Sequence, residues 1–332
     1  MTFSSASMRI DLINTVLILI AAGVALIMPF PLFLFAYAVL GPLHYLTEIS
    51  WLHDRSYFIP EKKSVPIFLG LGIIATLLVL TGKMPYWFLP AVVYMLFGWA
   101  FILTSVKAGT RRDLSIAFLF VTTVLFILFE PPVYILFFAI FIPTLVHVFV
   151  FTAAFMLSGA LKSRSIWGMT SFIVLIVVAL GLLVYVPKQS SSLSPYVLES
   201  YQPFVFMNET MMGLLFGEGK TRLTVEAAAA SRAGTAIMQF IAFAYTYHYL
   251  NWFSKVQVIG WNSISVRRRS SILLVWLAAL GFYAYDYRVG VQVLFLLSFL
   301  HVLFEFPLNH RSFSDIGESL TLLIRPLFSR SA

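Results

Sequence analysis

Apolar residues run along this chain in long blocks, with proline, glycine and charged residues falling between them. A helix needs about 20 apolar residues to cross a hydrocarbon core of about 30 Å. About ten blocks approach that length, at 11–30, 32–53, 65–82, 86–106, 114–130, 132–159, 166–187, 233–254, 271–287 and 289–307. The sharpest break is "EPPVY", where Glu130, Pro131 and Pro132 end one block and open the next, because proline cannot continue the preceding helix. The weak two-residue alternation of an outer-membrane barrel is absent. The pattern predicts an all-α integral membrane protein, a bundle of about ten transmembrane helices forming one polytopic membrane domain over residues 1–332.

Composition supports this. Of the 332 residues, 60% are hydrophobic and 11% charged, against about 25% charged in soluble domains. The opening apolar run is too long for a signal peptide and lacks a small-residue cleavage site, so it reads as the first span. The chain has no cysteine, which removes disulfides and thiolate metal sites from consideration.

The formal charge of +8 would point to nucleic acid in a soluble protein; here it reads as the basic excess of cytoplasmic loops, with membrane lipids and not nucleic acid as partners. With the N-terminus inside and the blocks alternating, 16 of the 22 Lys and Arg residues fall on the inner side. Only Lys83, Lys188, Lys220, Arg222, Arg232 and Arg288 fall outside. Both termini are therefore expected in the cytoplasm, and the setting is expected to be a bacterial inner membrane. The stretch 188–232 is then an extracytoplasmic loop with an amphipathic segment, and 308–332 a basic cytoplasmic tail lying at the interface. Within the loop, "NET" at 208–210 matches a glycosylation sequon.

Six histidines remain to be placed. His53 and His310 sit beside charges at block ends and read as interfacial. His44, His147, His248 and His301 lie inside the second, sixth, eighth and tenth blocks, which all run in the same direction through the bilayer. Each precedes the next basic residue by 7 to 15 positions, placing it roughly 10 to 22 Å from the inner boundary at 1.5 Å per residue. Ionisable groups at membrane depth mark functional sites, and neutral imidazole suits iron, copper, zinc and nickel. Four helices each bringing one imidazole to one layer predict a shared metal site. Glu48 and Glu305 each follow a histidine by four residues, on the same helix face. Either can hold the second ring nitrogen of a ligand, on its own helix or on a neighbour. Pro143 is expected to kink the helix before His147.

One histidine per helix excludes the clustered boxes of membrane di-iron enzymes and the paired histidines of stacked two-haem cytochromes. It fits a mononuclear Fe(II) centre with open positions for O2; a single bis-histidine haem is the alternative.

"GPLHYLTE" at 41–48 resembles the G-x-P-H-G-x-x-D motif of the Brp/Blh family of integral-membrane β-carotene dioxygenases, which make retinal. "LVHVFVF", "YTYHYLNWF" and "FLHVLFEF" follow in an order compatible with that family's later histidine motifs. The resemblance implies iron ligands at His44, His147, His248 and His301, and acidic motif positions at Glu48 and Glu305. The expected function is a membrane-embedded Fe(II)-dependent oxygenase acting on a long apolar substrate from the bilayer, such as a carotenoid. A proton-coupled transporter using the membrane His and Glu residues, and a haem-binding electron carrier, are the competing readings.

Overall fold

The computed structural model describes residues 5–59, 62–187, 193–217, 223–255 and 264–328. They form helices only, with no strand among the described residues. In chain order these are α1 (Ser5–Ile27), α2 (Pro29–Asp54), α3 (Val65–Leu80), α4 (Phe88–Ser105), α5 (Thr110–Phe129), α6 (Pro132–Ser163), α7 (Ile166–Val184), α8 (Pro195–Tyr201), α9 (Val205–Phe216), α10 (Val225–Ala230), α11 (Arg232–Phe253), α12 (Val266–Tyr285) and α13 (Tyr287–Phe328).

Among the described residues seven helices are long and apolar enough to cross a membrane: α1, α2, α4, α5, α6, α7 and α13. The other three expected blocks fall short for separate reasons. α3 has 16 residues. α12 opens on Arg267, Arg268 and Arg269. α11 is long enough, but it carries Gln239, Thr246, His248 and Asn251 and is buried along almost its whole length. A helix enclosed by protein meets little lipid and tolerates polar residues that a lipid-facing helix does not.

The chain divides into two compact units, residues 1–44 with 166–291, and residues 45–165 with 292–332. In the first unit α11 packs against α1, α2 and α7. Ser231 caps its start, its Oγ accepting from the Gly234 amide at 2.9 Å. A Cβ at Gly234 would lie 2.2 Å from the Ala228 carbonyl oxygen, so the chain passes here only because the side chain is absent. Near its other end, Asn14 Oδ1 on α1 accepts from Asn251 Nδ2 at 3.0 Å and from Ser254 Oγ at 3.1 Å. The stretch 188–232, expected as a loop with an amphipathic segment, forms α8, α9 and α10 among its described residues, and Tyr201, Phe204 and Met211 are buried. Asn208 of the sequon is also buried, accepting from the Tyr201 hydroxyl, and is closed to glycosylation. Lys188, Lys220, Arg222 and Arg330 lie outside the described residues.

The second unit has a core built on Leu52, Phe68, Leu96, Phe151, Leu303 and Phe306. α13 corrects one boundary: the helix does not stop at Pro307 but continues into the expected tail. His310, read as interfacial, is buried with Nε2 3.0 Å from the Phe97 carbonyl. His53 is exposed, as expected, beside the Tyr57 hydroxyl at 3.2 Å.

Two helices carry π-type segments ahead of or around a histidine. In α2 the segment is Ala36–Leu40, just before Pro42 and His44; in α6 it is Phe137–Phe151, spanning Pro143 and His147. Proline lacks the amide that would continue the ladder, and a wider turn absorbs that loss without breaking the helix.

Candidate metal centre

All four membrane histidines are buried, with 1 to 6% of their surface exposed. In the first unit His44 Nε2 and His248 Nε2 stand 3.0 Å apart, with the rings near perpendicular at 77°. Tyr249 and Trp252 wall His44, their ring centroids 5.1 and 5.5 Å from its own. In the second unit His147 Nε2 and His301 Nε2 also stand 3.0 Å apart, with the rings at 74°. Tyr45 stacks on His301 at 4.2 Å. One ligand-type nitrogen from each of the four lies within 4.8 Å of the others, a set that can hold a metal ion.

The spacing can be tested against coordination chemistry. Two imidazole nitrogens at about 2.1 Å from one ion stand about 3.0 Å apart at a right angle, about 3.4 Å at the tetrahedral angle and about 4.2 Å when opposed. Both close pairs match neighbouring positions on one ion.

A hydrogen bond between two imidazoles also spans 3.0 Å, so the far nitrogens decide what the pair can do. His301 Nδ1 lies 3.4 Å from the Leu297 carbonyl, which can only accept. His147 Nδ1 lies 3.0 Å from Glu305 Oε2, somewhat off the N–H axis. Both contacts favour a proton on Nδ1. Both Nε2 atoms then present lone pairs to each other, an arrangement that a cation between them relieves.

Glu48 and Glu305 are both buried within the protein. Glu305 serves a neighbouring helix: it faces His147 on α6 rather than His301 on its own α13. Asn309, one turn further on, donates to Glu305 Oε2 at 3.3 Å, and the Glu48 carboxyl group is close enough to Glu305 to interact with it electrostatically. Asn309 went unread in the sequence, although its four-residue offset from Glu305 repeats the offset of Glu305 from His301. Asn251, one turn from His248, spends its side chain on Asn14, Tyr247 and Lys255.

No family model, no curated protein and no solved structure matches this chain.

Proposed function

We propose that the chain is a membrane-embedded, non-haem Fe(II) oxygenase acting on a long apolar substrate drawn from the bilayer, with oxidative cleavage of a carotenoid as the reaction. The observation that carries this reading is the gathering of four buried imidazoles, whose nearest nitrogens pair at the 3.0 Å expected of neighbouring ligands. His44, His147, His248 and His301 would hold the iron as neutral ligands. Iron with open positions would supply the centre at which O2 is brought to the substrate alkene.

The chain's own residues do the rest. Glu305 and the Leu297 carbonyl orient two of the imidazoles through their far nitrogens. Asn309 holds Glu305 in turn. Tyr45 fixes the plane of His301, and Tyr249 and Trp252 keep water from His44. Cleaving one C=C with one O2 gives two carbonyls, each carbon leaving with one oxygen atom, so no outside reductant is needed.

A bis-histidine haem is disfavoured by the same distances. A macrocycle between two axial nitrogens needs them opposed at about 4 Å with open space around them, whereas the closest nitrogens here are 3.0 Å apart and two more histidines crowd the set. The membrane setting proposed is a bacterial inner membrane, with ten crossings and both termini cytoplasmic; the basic loops support it.

Metal analysis tests the proposal. Protein purified with iron supplied should carry about one iron per chain, and each His→Ala change should remove most of it. Less than about half an equivalent, with no loss on substitution, overturns the reading. Release of aldehydes from a polyene under O2 then tests the reaction. A transporter predicts substrate flux and no bound metal, and a haem carrier predicts a Soret band.

A further inference from the structure

Within the second unit a groove of about 660 Å³ runs between α4 and α5, away from the histidines. Its volume lies within the range of small-molecule sites. Arg111 lies at one end, beside the turn joining the two helices. The walls beyond it are apolar, formed chiefly by Phe101, Ile102, Leu114 and Phe118. From Arg111 to Leu119 the groove follows α5 for about 12 Å at 1.5 Å per residue. Tyr94 closes the far end, its hydroxyl 2.9 Å from Thr122 Oγ1 on α5. The site therefore has a cationic mouth, an apolar channel and a polar stop.

The charge around the mouth is one-sided. Lys107, Arg111 and Arg112 lie within six residues of sequence, and Asp113 is the acid beside them. Arg111 is exposed and has no ion-pair partner among the described residues. α5 is the least buried of the spanning helices, with only 11% of its apolar window covered by protein. Acyl chains must cover the rest in a bilayer. Basic pockets between transmembrane helices recognise anionic lipid headgroups.

We propose that the α4–α5 groove binds one anionic phospholipid, its headgroup phosphate paired to Arg111 with Lys107 nearby and one acyl chain lying along Phe101 and Phe118. The observations are the guanidinium without an ion-pair partner at the mouth, the net positive loop and the apolar groove leading from it. The site is independent of the metal reading.

The test is lipid retention by the full chain. Protein in vesicles of equal phosphatidylglycerol and phosphatidylcholine is extracted in mild detergent, and bound lipid is counted by native mass spectrometry. One phosphatidylglycerol per chain should persist, preferred over phosphatidylcholine by about tenfold. Arg111→Gln, at an exposed position that leaves packing intact, should abolish the preference. Ser115→Trp should fill the groove and remove lipid of both kinds. Arg267→Gln, in the first turn of α12, should change nothing. Equal retention of the two lipids overturns the proposal. So does an unchanged preference in Arg111→Gln, an equal loss in Arg267→Gln, or displacement of the lipid by glycerol phosphate alone. Thermal unfolding of Ser115→Trp checks its fold; if it is unfolded, the Arg111 arm decides.

Discussion

Replacing Glu305 separates a metal centre from a hydrogen-bonded histidine cluster. Its Oε2 lies 3.0 Å from His147 Nδ1 and accepts from Asn309 at 3.3 Å. Losing a partner that orients a ligand costs metal proteins about 10- to 100-fold in affinity, or about 1.4 to 2.7 kcal/mol. Glu305→Gln belongs at the lower end. Glutamine has the same reach, and its carbonyl can still face His147 Nδ1 and accept from Asn309. Glu305→Ala belongs at the upper end, because His147 loses the carboxyl group that faces it and Asn309 loses its acceptor. Asn309→Ala removes one long hydrogen bond to the carboxyl group and should cost only a few-fold, in line with about 1 kcal/mol for such a bond. The assay is chelator competition on detergent-purified protein, with residual iron read per chain and thermal unfolding run in parallel. The expected order of affinity is wild type, Asn309→Ala, Glu305→Gln, Glu305→Ala. If folded Glu305→Ala holds iron as tightly as wild type, the carboxyl group does not support a ligand and the tautomer argument fails with it.

Four further outcomes follow from the same geometry. His44→Ala and His248→Ala should each strip most of the metal, and the double variant should be little worse than either, since ligands of one ion are not additive; additive losses would place them in separate sites. Gly234→Ala should destabilise the fold by about 1 to 3 kcal/mol, read as a lower unfolding temperature, because its Cβ would meet the Ala228 carbonyl at 2.2 Å. Asn14→Leu should cost about 1 to 3 kcal/mol by removing the acceptor shared by Asn251 and Ser254, with iron content unchanged. Burial pushes the Tyr201 phenol above its ordinary range, so its contribution is complete below the unfolded value of about 10 and falls away as pH rises past it; alkaline unfolding curves should flatten in Tyr201→Phe.

The histidines were legible because charge and hydrophobicity are strong signals in a membrane chain. A polar residue inside an apolar block stands out, and its distance to the next basic loop gives its depth. Glu305 was legible as a candidate for the same reason, but not its partner: the four-residue offset pointed equally to His301, and only packing brings it to His147. Pro307 reads as a helix end in sequence, yet α13 runs through it; buried neighbours such as Asn309 and Ser312 continue the packed face beyond the proline. α11 was legible as a span by length, but not as a helix sheathed by protein, because enclosure depends on neighbours that its own residues do not name. The Asn14–Asn251 contact joins residues 237 positions apart and leaves no local pattern.

The π-type turns before His44 and around His147 set the aim of everything downstream of them. A wider turn accommodates one residue more than an α-turn, and one residue is worth about 100° of rotation about the helix axis. Upstream of Ala36–Leu40, α2 buries Phe30 and Phe33; downstream, the same helix buries His44 and Glu48. Tightening that turn to ordinary α geometry would swing the imidazole toward another face while the phenylalanines stayed seated. The centre is thus indexed by a one-residue dislocation in an otherwise continuous rod. Deleting a single residue from 36–40 should turn the His44 imidazole away from His248 without changing any side chain that it touches.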